Sequence, residues 1–151
     1  MDAVTYPNAE VVKFIQENTI PLRVPFDAKP LSSEFNIKWT PTLIVLDPDG
    51  KERHRIVGFV SADELIPSLL LGMGKSYFEQ DRFSEALLSI EKLFREYPKS
   101  SAAPEGIYLR GVCRYKSTNN PKPLKEAYEQ LKDQYPESEW TKRAYPYRLI
   151  N

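Results

Sequence analysis

The sequence predicts an α/β region followed by an all-α region of antiparallel helical hairpins. In the first region, the apolar run Thr42–Leu46 leads into the turn signal Asp47-Pro-Asp-Gly50, which is typical of a β-hairpin. From Ser61 onward the sequence pattern is typical of helices. There the pattern Leu-x-x-x-Tyr-Pro-x-Ser occurs at Leu93–Ser100 and again at Leu131–Ser138. A recurring helix pair predicts a stacked array of hairpins.

The α/β region is expected to begin with a helix that Asn8 caps. The uninterrupted apolar run predicts a strand buried on both faces. Pro21 and Pro25 have no backbone N–H, so the strand around them is expected to be an edge strand or irregular. The expected elements are a helix over Asn8–Asn18, a strand over Ile20–Phe26, a short helix or turn over Leu31–Ile37, and hairpin strands over Thr42–Leu46 and Lys51–Phe59.

The helical region is expected to begin at Ser61-Ala-Asp-Glu64, which matches the capping box. This helix should run to about Gln80, and Pro67 should kink it or separate a short first piece. The predicted domains are therefore an α/β region over 1–62 and a helical region over 63–151. The further expected helices are Phe83–Glu96, Ala103–Ser117, Leu124–Gln134 and Ser138–Ala144.

Charge and apolar content argue against two classes of partner. The chain has 21 basic and 21 acidic residues and a net charge of zero, whereas nucleic-acid-binding proteins usually carry a basic excess. No apolar stretch is long enough to span a bilayer, so no membrane insertion is expected. The first residues have neither the basic start nor the apolar segment of a signal peptide. The chain as given is therefore expected in the cytoplasm, or in the periplasm if a segment precedes Met1.

The cysteine and histidine content limits the chemistry. Cys113 is the only cysteine and His54 the only histidine, so the chain has no Cys-x-x-Cys pair and no cysteine-rich metal site. Neither a cofactor nor a metal is expected. His54 lies in a charged strand and is expected to be solvated or structural. Asp47 and Asp49 are expected to form a turn and not a metal site.

The helical region resembles tetratricopeptide repeat proteins. One full unit, Pro67–Ser100, carries the resemblance, while the second has extra residues around Asn119–Pro123 and Leu124 where Ala86 stands. The endings of its units look like the looser repeats of bacterial envelope proteins. The residues that match the family's signature are Leu70, Met73, Gly74, Tyr77, Phe83, Ala86, Ile90 and Pro98.

This resemblance implies a groove that binds an extended peptide along the first helix of each pair. Aromatic side chains with a few cations suit a peptide or its carboxylate. The alternative is that these side chains pack the hairpins together. The implied groove residues are Leu71, Lys75, Phe78 and Glu79 in the first unit and Tyr108, Val112, Tyr115 and Lys116 in the second.

The first region resembles the C-terminal part of a thioredoxin-like domain. The resemblance implies that the Thr40–Pro41 peptide bond is cis. It also implies that the loop Trp39, Thr40, Pro41 contacts extended peptide substrates; the alternative is a purely structural turn. The matching segments are Met1–Asn8, Glu10–Val12, Ile20–Asp27, Trp39–Thr42, Leu43–Gly50 and Val57–Phe59.

The match omits the family's first two strands and its Cys-x-x-Cys segment. The catalytic thiolate therefore has no counterpart among these residues. One omitted strand would lie between Ile20–Phe26 and Thr42–Leu46. Either these two strands pair directly, or another chain supplies a strand, or the sheet is loose. The open edge predicts a homodimer through the α/β region.

Together these features favour a non-enzymatic protein–protein interaction or scaffold module that binds a protein or peptide. Two alternatives stay open. The chain is a fragment of a thioredoxin-like thiol–disulfide oxidoreductase whose Cys-x-x-Cys lies upstream of Met1, or it is a structural subunit that is stable only as a dimer.

Overall fold

A computed structural model describes residues 1–151 and confirms the fold class: a small antiparallel sheet with helices, followed by helical hairpins. No helix combines the length and the apolar character that crossing a bilayer requires. The elements are α1 (Ala9–Asn18), α2 (Leu31–Glu34), β1 (Thr42–Leu46), β2 (Glu52–Val57), α3 (Ala62–Glu79), α4 (Phe83–Glu96), α5 (Ala103–Thr118), α6 (Lys122–Gln134), α7 (Glu139–Ala144) and a 3-10 helix, Tyr145–Leu149.

The segment Ile20–Phe26 is not a strand, so this prediction was wrong. Strand β1 is hydrogen-bonded only to β2, which excludes direct pairing with Ile20–Phe26. Pro21 and Pro25 cannot donate to a ladder, and the chain places no partner beside them. Ile20 is 98% exposed, and Leu22 and Phe26 are largely exposed as well. Alternating side chains alone do not make a strand without a neighbour.

The hairpin β1–β2 forms as expected. Thr42 faces Val57 at one end, and Leu46 faces Glu52 at the turn end. The N–H of Gly50 donates to the carbonyl of Asp47 at 2.9 Å, and Gly50 has a φ of 76°, which suits glycine. The expectation that β1 is buried on both faces was wrong. Its residues are half-buried and Leu46 is exposed, because only β2 and α3 pack against this strand.

Two X–Pro peptide bonds are cis. Thr40–Pro41 confirms the expectation from the thioredoxin resemblance, and Lys29–Pro30 was not expected.

Helix α3 starts where the sequence predicts, but the capping box does not form. The Ser61 side chain accepts no hydrogen bond from the backbone N–H groups at the start of the helix. The Glu64 carboxylate instead accepts from the backbone N–H and the hydroxyl of Ser101, at 3.0 and 2.7 Å. The predicted separate first piece does not form either, since the helix continues through the buried Pro67. Glu64 therefore ties the start of α3 to the connection between α4 and α5.

The two Tyr-Pro-x-Ser segments end their helices in the same way. Tyr97 has φ −133° and ψ 53°, and Tyr135 has φ −139° and ψ 57°. The N–H of each tyrosine donates to the carbonyl of the leucine four residues earlier, at 2.8 Å in both cases. The repeat that the sequence shows is therefore a repeat of backbone geometry.

Glycines allow close helix pairing in both hairpins. A Cβ atom on Gly74 would lie 3.2 Å from Ile90 Cγ1 and 3.6 Å from the carbonyl oxygen of Ala86. A Cβ atom on Gly111 would lie 2.7 Å from Ala127 Cβ and 3.0 Å from the Pro123 carbonyl oxygen. The carbonyl that faces Gly74 belongs to Ala86, and the one that faces Gly111 belongs to Pro123. The counterpart of Ala86 is therefore Pro123 and not Leu124, as the sequence had suggested.

One hydrophobic core joins the two regions. Val11 and Phe14 of α1 belong to the same buried cluster as Leu65 of α3, Leu93 of α4 and Cys113 of α5. Helix α3 thus serves both as the packing surface for the α/β region and as the first repeat helix. A second, smaller cluster lies between α5, α6 and α7. The boundary between residues 62 and 63 falls at the start of α3 and stays a prediction.

Candidate interaction cleft between the hairpin and the repeat helices

The hairpin packs directly on α3 at Gly72. A Cβ atom on Gly72 would lie 2.9 Å from Val45 Cγ2 and 3.0 Å from His54 Cβ. Only glycine allows the side chains of both strands to reach the helix surface at this point. The turn end of the hairpin therefore lies beside the exposed side of α3, and a cleft forms between them.

His54 links the hairpin to α3. Its Nε2 lies 3.0 Å from Ser68 Oγ, and its Nδ1 lies 3.3 Å from Lys75 Nζ. The Lys75 ammonium can only donate, so Nδ1 accepts and Nε2 carries the proton. Burial, followed by the positive charge of Lys75, lowers the pKa of His54 to about 4. His54 is therefore neutral at pH 7 and structural.

A chain of ion pairs continues from the turn to α3. The buried Asp47 carboxylate accepts from the backbone N–H groups of Asp49 and Lys51 and from Arg53 Nε, at 2.8–3.0 Å. Burial raises the pKa of this carboxyl, but the donors reverse the effect and the net pKa is lowered. Arg53 Nη1 also lies 3.5 Å from a Glu79 oxygen. Asp47 thus holds both the turn and the guanidinium that faces the helix.

The cleft has an aromatic wall and a charged rim. Its volume is about 250 Å³, and Phe78, Tyr108 and Trp140 form its aromatic part. The rings of Tyr108 and Trp140 are 5.2 Å apart, and the Tyr108 hydroxyl lies 3.0 Å from that of Tyr147. The charged residues around the cleft are Glu52, Arg53, Lys75, Glu79 and Glu105, and Lys75 forms an ion pair with Glu105.

The structure brings part of the expected groove together. Lys75, Phe78, Glu79 and Tyr108 line the cleft. Leu71 is buried in the core and cannot contact a ligand. Val112, Tyr115 and Lys116 lie on later turns of α5 and do not line the cleft; the first two are half-buried and Lys116 is exposed.

The loop Trp39, Thr40, Pro41 forms a separate surface. Thr42 Oγ1 donates to the Trp39 carbonyl at 2.6 Å, and the N–H of Gly58 donates to the Pro41 carbonyl at 2.8 Å. Trp39 is 73% exposed. This loop lies at the opposite end of β1 from the cleft, about 17 Å away for a five-residue strand.

Five residues that line the cleft were not predicted from the sequence: Glu52, Arg53, Glu105, Leu109 and Trp140. Glu105 lies three residues before Tyr108 on α5 and therefore on the same helix face, which is a signal that could have found it. Arg53 and Trp140 come from a strand and from α7. No local pattern brings these two elements together.

Cys113 is a core residue of the repeat helices. It is fully buried, and burial raises the pKa of its thiol to about 12. No three His, Cys, Asp or Glu side chains come together in a way that could hold a metal ion. A further depression of about 390 Å³ lies near Tyr128, Lys132 and Tyr145, and it contains none of the expected site residues.

Comparison with known families agrees with the two-part architecture. The fold defines a thioredoxin-like region followed by a tetratricopeptide-like one, and residues 2–71 match the model of a thioredoxin-like domain. Residues 66–148 match the family described as outer membrane lipoprotein (YfiO), and the chain belongs to this family. The two matches overlap within α3, the helix that both regions share. No curated protein and no solved structure matches the chain.

Proposed function

We propose that this protein is a protein–protein interaction module whose cleft binds an extended segment of a partner protein. One observation carries the proposal: the thioredoxin-like hairpin and the repeat helices build a single cleft with an aromatic wall and a charged rim. Tyr and Trp side chains with neighbouring charges are typical of the residues that dominate binding energy at protein interfaces. Membership of a family described as outer membrane lipoproteins supports a bacterial envelope as the setting.

A selection of peptides displayed on phage against the full chain tests this function. The two tryptophans provide a matched pair of variants, since Trp140 lines the cleft and Trp39 lies in the separate loop. Trp140→Ala should weaken the selected peptides about 30-fold, because truncating such an anchor costs about 2 kcal/mol. Trp39→Ala should leave their affinity unchanged. Loss of binding in Trp39→Ala alone would move the site to the loop.

A second role, self-association through the α/β region, is favoured by the unpaired edge of β1. This edge presents backbone donors and acceptors without a neighbour, and such edges pair readily with other chains. We propose a homodimer formed there, with the exposed apolar residues of Ile20–Phe26 as additional contact surface.

Sedimentation of the full chain at increasing concentration tests the dimer. Leu46→Lys places a charge on β1, and Leu88→Lys places the same charge on an exposed position of α4. Wild type and Leu88→Lys should associate with increasing concentration, whereas Leu46→Lys should stay monomeric. A monomeric wild type refutes the proposal, and dissociation by Leu88→Lys assigns the interface to the repeats.

The oxidoreductase-fragment alternative stays a prediction. The thioredoxin-like match over residues 2–71 supports it, but Cys113, with its pKa of about 12, supplies no thiolate at neutral pH. An in-frame Cys-x-x-Cys encoded upstream of Met1 would favour this alternative, and in-frame stop codons there would contradict it.

A further inference from the structure

We infer that the cleft selects a cationic side chain, lysine or arginine, in the partner segment. This inference rests on the proposed function and adds the chemistry of the ligand. It depends on which hydrogen-bonding groups around the cleft already have partners within the chain.

Most of the cationic donors around the cleft already have partners within the chain. Arg53 uses Nε and Nη2 on Asp47, each at 2.8 Å, and Nη1 faces Glu79. Lys75 donates to Glu105 and to Nδ1 of His54, which uses two of its three donors. Each cation keeps a spare N–H, but both already face internal carboxylates, with which an anionic ligand would have to compete.

The carboxylates keep unused acceptor capacity. A carboxylate offers about four lone-pair sites. Glu79 has only the long contact to Arg53, and its side chain is 51% exposed. Glu105 has only Lys75 as a side-chain partner. The acceptors around the cleft are therefore in excess of the donors, and a ligand that fits must be a donor.

The net charge around the cleft also favours a cationic ligand. Negative charges come from Glu52, Glu79 and Glu105, against positive charges from Arg53 and Lys75. The ion-pair partners behind them, Asp47 and Arg55, cancel each other. Arg143 and Glu139 form a pair beside Trp140 and cancel. His54 is neutral at pH 7. The rim thus carries one more carboxylate than cations.

Shape and polarity favour a long side chain with an apolar stem. A volume of about 250 Å³ corresponds to about eight water molecules, which suits one arginine or lysine side chain. Phe78, Tyr108 and Leu109 provide a wall for the methylene groups, as long cationic side chains require. The charged head would then reach Glu79 and Glu105.

Fluorescence anisotropy with labelled peptide pools tests the inference. Each pool has random flanks and one fixed central residue: arginine, lysine, citrulline, leucine or glutamate. Citrulline keeps the shape of arginine and removes its charge. The arginine and lysine pools should bind wild type about tenfold more tightly than the citrulline pool, since hydrogen bonds to charged groups are the stronger ones.

Two variants assign the preference to the rim. Glu105→Gln should reduce the preference for arginine over citrulline about tenfold, because it removes one acceptor charge and releases Lys75. Glu96→Gln makes the same change on α4, outside the cleft, and should have no effect. Urea unfolding of both variants identifies any loss of binding that comes from unfolding.

Each outcome is decisive. If the citrulline, leucine or glutamate pool binds as well as the arginine pool, and Trp140→Ala weakens all pools, the cationic selection is wrong while the interaction function stands. A preference for arginine that Glu105→Gln does not reduce also refutes the inference. If no pool binds, both the inference and the proposed function of the cleft fail.

Discussion

The substitution Gly72→Ala tests how the hairpin meets the helical repeats. In an isolated helix, alanine is favoured over glycine by about 1 kcal/mol. Here the new Cβ would lie 2.9 Å from Val45 Cγ2 and 3.0 Å from His54 Cβ. Valine is stiff about χ1, and a histidine Cβ moves only with its backbone. Overpacking of this kind costs about 1–3 kcal/mol, so the net effect should be destabilising.

Gly74→Ala is the matched control. It lies on the same helix and gains the same helix propensity, but its nearest contact is a side-chain atom of Ile90 at 3.2 Å. In urea unfolding, the free energy of unfolding of Gly72→Ala should be about 1–2 kcal/mol below that of Gly74→Ala. Adding Val45→Ala should relieve the clash with a coupling energy of about 1 kcal/mol.

A Gly72→Ala variant as stable as Gly74→Ala, without coupling to Val45, would refute the close contact between hairpin and helix. The cleft would then lose one of its walls.

Three further predictions concern single residues. Because folding lowers the pKa of His54 from 6.5 to about 4, the unfolded chain takes up the proton first as the pH falls. The free energy of unfolding of wild type, relative to that of His54→Gln, should therefore fall by about 2–3 kcal/mol between pH 7 and pH 4. A constant difference between the two proteins would contradict this. Cys113 should not react with a thiol reagent at pH 8 in the folded chain, and it should react once the chain is unfolded in urea. The chain should also not reduce insulin. Rapid labelling of the folded chain would be the contrary result. Ala86→Leu should lower the melting midpoint by several degrees through about 1–3 kcal/mol of overpacking beside Gly74, and an unchanged midpoint would reject this packing.

The helices were predictable from the sequence because their signals are local. Tyr97 and Tyr135 end helices α4 and α6 with nearly the same backbone angles, so the repeated letters reflect repeated geometry. The prediction of a strand at Ile20–Phe26 was wrong because a strand forms only beside a partner strand. An alternating pattern of apolar residues does not show whether a partner strand is present. Glu64 shows the same limit, since a residue that fits a local cap binds Ser101 of a distant connection instead.

The candidate site was predictable only in its helical half. Lys75, Phe78 and Tyr108 followed from the repeat resemblance, which fixes helix faces. The hairpin contribution, Arg53, depends on the docking at Gly72, and this contact between distant residues leaves no periodic signal. Trp140 comes from the short α7, whose position is set by packing against α5 and α6.

The most direct test of the cleft uses the indole N–H signals of the two tryptophans in a ¹⁵N-labelled chain. Trp140 reports on the cleft and Trp39 on the loop at the far end of the hairpin. On titration with a selected peptide that has a central arginine, the Trp140 signal should shift in proportion to saturation, while the Trp39 signal should stay in place. A peptide that binds and shifts Trp39 but not Trp140 would contradict the assignment of the cleft as the interaction site.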